Sequence, residues 1–151
     1  MTHTALRTLA VAVLAFGAGF AVAHAPQPAR AATALQPMVL DLAAMTPSDL
    51  PPPTAASPNL RSKVLFAADG ATGQLQIGTV FKHYHADANE IQFVVSGSGT
   101  EWLGDRQVPL HPGMLLVIPA GTPHAGTVDP NLKIYAIKTP PQAATDVHPL
   151  P

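Results

Sequence analysis

Cysteine is absent from the sequence. That excludes disulfides, thiolate metal ligands and a cysteine nucleophile, but it leaves the compartment open. Charge of one sign is lacking too. The formal net charge is −1, and acidic and basic residues balance between Leu60 and Lys138. Without a basic stripe, no nucleic-acid partner is expected. Aromatic residues are few. No amphipathic helix of useful length appears between Leu60 and Lys138, and there is no internal repeat, so the chain carries one copy of one unit. A length of 151 residues suits one domain rather than two.

The one long apolar run is N-terminal. Arg7 precedes it, Leu9 to Val22 is uninterrupted, and small residues follow at Ala21-Val22-Ala23 and Ala23-His24-Ala25. This is the three-part layout of a secretory signal peptide, assigned to residues 1–25. The run is short for a membrane span, which needs roughly 20 apolar residues. We therefore expect a soluble periplasmic or secreted protein, with no stable membrane insertion once the signal is removed. Residues 26–58 are rich in proline and alanine and read as a linker or arm. Within it Met38–Leu42 is a candidate short strand, and Pro47–Leu50 a candidate helical turn. Residues 140–151 carry several more prolines and read as a flexible tail.

Between the arm and the tail, residues 59–139 read as all-β. The expected strands are Leu60–Phe66, Gln74–His85, Ile91–Val95, Thr100–Leu103, Gln107–Leu110, Met114–Ile118, His124–Val128 and Leu132–Lys138. Turn signals separate them, including Thr72-Gly73, Gly104-Asp105, His111-Pro112-Gly113 and Pro119-Ala120-Gly121. Short strands at close spacing mean a sandwich or barrel, and a jelly roll fits the count.

Four side chains in this region have metal-ligand chemistry: His83, His85, Glu90 and His124. Side chains two apart on a strand share a face, so His83 and His85 point the same way. The surrounding residues resemble the two signature motifs of the cupin family. Gly78, His83, His85, Glu90 and Gly97 follow the first, with the leading glycine displaced by one position. Gly113, Pro119, Gly121 and His124 follow the second, whose closing asparagine is replaced by Val128. The resemblance implies a conical β-barrel of jelly-roll type, a homodimer, and one divalent metal ion held by His83, His85, Glu90 and His124.

Three imidazoles and a carboxylate suit manganese, iron, nickel, copper or zinc better than calcium or magnesium. Four protein ligands leave positions open on a metal that prefers six, where a small molecule can bind. Strand parity turns Phe81, Gln92 and Val94 inward, with Leu116, Ile118 and Val128 completing an apolar lining. Gln92 is the polar group nearest the ligands in sequence and the candidate catalytic residue, since its amide can donate to a carboxylate or ketone oxygen. No second carboxylate stands out, because Glu101 lies on a strand of unknown facing and the aspartates fall in turns. The leading expectation is a metal-assisted oxidation, decarboxylation or isomerisation of a small polar organic molecule. The alternatives are a module that binds a small ligand or metal without turnover, and a structural barrel with a vestigial site.

Overall fold

The computed structural model describes residues 35–151 except 69, 128 and 130. The signal peptide expected at residues 1–25 lies outside the described residues, as does Val128. No helix among the described residues is long and apolar enough to cross a membrane.

Among the described residues, ten strands follow one 3-10 turn at Pro47–Asp49: β1 Leu60–Ala68, β2 Ala71–Gly78, β3 His83–Tyr84, β4 Asn89–Ser96, β5 Gly99–Leu103, β6 Arg106–Leu110, β7 Leu115–Ile118, β8 His124–Thr127, β9 Lys133–Thr139 and β10 His148–Pro149. They form two antiparallel five-stranded sheets, ordered β1-β2-β9-β4-β7 and β10-β3-β8-β5-β6. The jelly-roll expectation is met. The expected strand over Gln74–His85 is two strands, because Gly78 breaks it. That residue has φ +118°, and a Cβ there would stand 2.1 Å from the Asn59 carbonyl oxygen. Only glycine tolerates both conditions. Gly104, at φ +59°, closes the β5–β6 hairpin as its sequence suggests.

The period-two alternation of each strand decides where the core sits. Val94 on β4, Leu116 and Ile118 on β7, and Ile134 and Ala136 on β9 face inward and join Leu110 and Leu132 in one buried cluster. The opposite face of β2 buries Leu75 and Ile77 against Leu50, with Leu42 and Met45 packed alongside. The arm is therefore partly a cover for this sheet. Lys133 fastens it, donating to the Ala43 and Met45 carbonyls at 2.8 and 2.5 Å. Its 3-10 turn is closed by a capping box between Thr46 and Asp49. Met38–Leu42 is not a strand.

The C-terminal segment expected to be a loose tail instead returns to the barrel. His148 and Pro149 pair with Tyr84 and His83. The Asp146 carboxylate accepts from the backbone N–H groups of Ala86, Asp87 and Ala88 at 2.6, 3.2 and 3.1 Å. These bonds satisfy three backbone donors of the turn between β3 and β4, of which that of Ala88 is buried.

Candidate metal centre

The two sheets supply different parts of one buried site. From the first sheet, β4 presents Glu90 and Gln92, and Lys138 on β9 pairs directly opposite Glu90. From the second, His83 on β3 pairs with His124 on β8, and His85 follows just beyond β3. His83, His85, Glu90 and His124 are all buried, and one donor atom from each lies within 4.8 Å of the others. The imidazole centroids are 4.3 to 5.4 Å apart. The four candidate ligands are thus brought together.

The orientation of the three rings is fixed from behind. The Nδ1 atoms of His83, His85 and His124 lie 2.8, 2.5 and 3.0 Å from the carbonyl oxygens of Phe81, Asp146 and Thr122. A carbonyl only accepts, so each Nδ1 carries the proton and each Nε2 is left with a free lone pair. Those lone pairs converge on an anion. His85 Nε2 and His124 Nε2 stand 3.1 and 3.3 Å from Glu90 Oε2. His124 Nε2 has no hydrogen-bond partner among the described residues.

Acceptors facing acceptors need something positive between them, and the Lys138 ammonium supplies it for His85 Nε2 and Glu90 Oε2 but leaves His124 Nε2 without a donor. One solution puts a second proton on both rings, creating two imidazolium ions beside the Lys138 ammonium in a buried pocket. The other is a single shared cation, and the three-imidazole, one-carboxylate donor set fits a divalent transition metal. The backbone carbonyls behind the rings are the outer partners that metal-bound histidines require. Burial and the neighbouring His124 also push the His83 pKa down to about 4, keeping it neutral and able to ligate. Burial opposes ionisation of Glu90, but Nε2 protons on His124 and His85, in the first of these solutions, together with the charge of Lys138 outweigh it. The carboxyl is held well below its ordinary range.

Gln92 is buried, as strand parity requires. Its amide nitrogen donates to Glu90 Oε1 at 3.2 Å, and its carbonyl oxygen has no partner among the described residues. Val94, Leu116 and Ile118 face inward as expected. Phe81 does not, being 41% exposed, because the chain breaks strand geometry between Gly78 and His83 and parity cannot be carried across it. His148, given no role above, stacks on Tyr84 with centroids 4.8 Å apart.

Three functional candidates escaped the sequence reading. Lys138 is buried, with Nζ 3.1 Å from His85 Nε2 and 3.4 Å from Glu90 Oε2, and it also donates to Gln142 Oε1. Burial lowers its pKa, against the raising effect of Glu90. Parity along Ile134, Ala136 and Lys138 was the available signal. Glu101 on β5 is 1% exposed and turns into the cavity, so a second carboxylate is present after all. Burial, reinforced by Glu90, pushes its pKa up to about 8. Asp146 holds the turn before Glu90 and supplies the carbonyl behind His85, and nothing in its proline-rich surroundings marked it. The cavity these groups enclose is small, about 30 Å³ for the centres of water-sized molecules. That leaves room for an ion and little more than the head of a ligand.

Residues 71–134 match the cupin domain family model. The barrel is a cupin domain. Acireductone dioxygenase 1 of Coprinopsis cinerea is 42% identical to this chain over 66 residues, covering 38% of this chain and 35% of that protein. The chain thus spans about a third of the length of this relative. Among solved structures, a Streptomyces PAC13 variant with uridine has a TM-score of 0.55 at 17% identity, covering 62% of this chain and 79% of that one. KdgF from Halomonas sp. has a TM-score of 0.53 at 21% identity, covering 58% and 85%. At such identities these two share the cupin fold with the chain, and the likeness extends no further.

Proposed function

We propose that this chain is a metal-dependent cupin enzyme that oxidises a small, oxygen-rich organic molecule. The observation that carries the reading is the set of three buried imidazoles, each with Nδ1 tied to a backbone carbonyl, gathered with Glu90 so that one donor atom from each of the four lies within 4.8 Å of the others. The residues that would hold the metal are His83, His85, Glu90 and His124. When bound, the metal supplies Lewis acidity and open coordination positions. Glu90 provides the negative charge, and Gln92 holds that carboxylate in place while turning its own carbonyl toward the ligand. The short cavity favours a compact polar head group. Among oxidation, decarboxylation and isomerisation, oxidation is favoured by the likeness to a protein named as a dioxygenase.

Elemental analysis of protein recovered from its native compartment tests the core of this. Near one equivalent of manganese, iron, nickel, copper or zinc is expected, lost in His83→Ala and His124→Ala. Oxygen uptake over a panel of small hydroxy and keto acids then tests the chemistry. A loaded protein that binds such a molecule and leaves it unchanged would be a binding module instead.

Export and pairing belong to the same reading. The N-terminal run supports a periplasmic or secreted location, testable by fractionation. A homodimer is supported by Phe93, Leu115 and Val117, apolar side chains exposed on the outer face of β4 and the edge strand β7. Light scattering that reports only monomer would remove that part.

A further inference from the structure

Glu101 is the one carboxyl of the cavity that the metal reading leaves without a task. It sits on β5, paired across to Gly126 on β8. Neither carboxyl oxygen has a hydrogen-bond partner among the described residues, although the residue is 1% exposed. A group of this kind, buried and unpaired, weakens a fold unless something else completes its hydrogen bonds. Space is kept for it: a Cβ on Gly126 would lie 3.3 Å from Glu101 Oε2. The carboxyl shares the cavity with His83, Glu90, Gln92 and His124. The Gln92 carbonyl oxygen in that wall is unpaired in the same way.

We propose that Glu101 recognises the ligand, hydrogen-bonding an oxygen of a small hydroxylated carbonyl compound whose hydroxyl is taken by the Gln92 carbonyl. The inference rests on the reading of the site as a metal centre and deepens it by naming the ligand class. Buried with neither oxygen partnered, the Glu101 carboxyl offers acceptor lone pairs and, in its protonated form, one O–H donor. Gln92 Oε1 offers only an acceptor. A ligand satisfying both walls carries a hydroxyl and a carbonyl oxygen close together. A second negative charge on it would meet Glu90, so dianions are disfavoured. The small enclosed volume selects a head of two or three heavy atoms.

The test uses full-length protein loaded with manganese or zinc, and hydroxyacetone as probe, with acetone and oxalate for comparison. Calorimetry should show hydroxyacetone binding more tightly than either comparison. Glu101→Gln keeps a donor and an acceptor and should retain affinity within about threefold. Glu101→Leu should lose about tenfold, the loss of one good hydrogen bond. Gly126→Ala, which crowds the carboxyl without removing a polar atom, should weaken binding in the same direction. Metal titration should be unchanged in all three variants. Equal affinity in wild type and the Leu variant overturns the inference, as does a Gln variant no better than Leu, or a wild type that does not bind the probe. If the Leu variant does not fold, the Gln and Ala variants decide, and unchanged affinity in the Ala variant overturns it. A wild type that takes up no metal refutes the metal reading itself, and this inference with it.

Discussion

Replacing Glu101 by glutamine should make the metal-free protein more stable, by an amount that grows with pH. The carboxyl's pKa is about 8 in the fold, against 4.5 for the ordinary group. Between those values the folded protein holds a proton that the unfolded chain has released. Stability falls with rising pH wherever the native state binds more protons, so the loss begins near pH 4.5 and is complete above pH 8. Each pKa unit corresponds to about 1.4 kcal/mol. Keeping Glu101 neutral therefore costs roughly 3 kcal/mol at pH 7 and roughly 5 kcal/mol above pH 8. Glutamine has nearly the same shape, is equally unpaired and does not titrate. Urea unfolding in the presence of a chelator, at pH 5, pH 7 and above pH 8, measures the difference between the two proteins. Histidine titrations cancel in that difference. The variant should be nearly as stable as wild type at pH 5 and clearly more stable at pH 7. Parallel profiles, or a variant less stable at every pH, would refute the placement of Glu101 as a buried, unpaired acid.

Lys138 stands 3.1 Å from His85 Nε2 and 3.4 Å from Glu90 Oε2, so its ammonium and a metal ion would draw on the same lone pairs. Lys138→Met should destabilise the metal-free protein by roughly 3 kcal/mol, as loss of one partner of a buried ion pair does, and should tighten zinc binding; calorimetry showing equal or weaker binding would contradict this. Asp146→Ala removes the acceptor for three backbone N–H groups and loosens the carbonyl behind His85. Metal affinity should drop by about 10- to 100-fold, the usual effect of losing an outer partner of a ligand, and an unchanged titration would show that the C-terminal segment does not position His85. Gly78→Ala should cost roughly 2–3 kcal/mol or more in urea unfolding, because φ is +118° and the methyl would meet the Asn59 carbonyl; an unmoved midpoint would mean the break between β2 and β3 is not fixed by this glycine.

Most of the barrel was legible in the sequence for physical reasons, and the four candidate ligands were legible through the resemblance to the cupin motifs. Turn residues punctuate the strands, and period-two alternation puts Glu90, Gln92 and Val94 on one face. Legibility stopped where the chain leaves strand geometry. Parity assigned Phe81 inward because it was counted back from His83 into the segment between β2 and β3, which is not strand. The C-terminal segment was read as loose because its prolines exclude a long strand, yet two residues of pairing and one buried carboxylate suffice to dock it. Lys138 and Glu101 were hidden by type. A charged residue on a short strand is most often solvated; parity with Ile134 and Ala136 could have turned Lys138 inward, whereas Glu101 is placed by its pairing with Gly126 and its burial.

Those two residues also explain how one small barrel separates stability from chemistry. Along β9, Ile134 and Ala136 belong to the buried apolar cluster, and Lys138, the next inward position, does not. Along β4, Val94 is in the cluster, whereas Gln92 and Glu90 line the polar cavity. The same inward stripe thus changes from hydrocarbon to ionisable groups within one or two steps, on strands paired in register. Apolar burial at one end stabilises the fold. At the other end, buried Glu101 and Lys138 weaken it unless a ligand or counter-ion completes them. A chain under selection for stability alone would carry aliphatic residues throughout the stripe. Retaining charges there is what a working site requires, and the stability they cost is recovered from the cluster beside them.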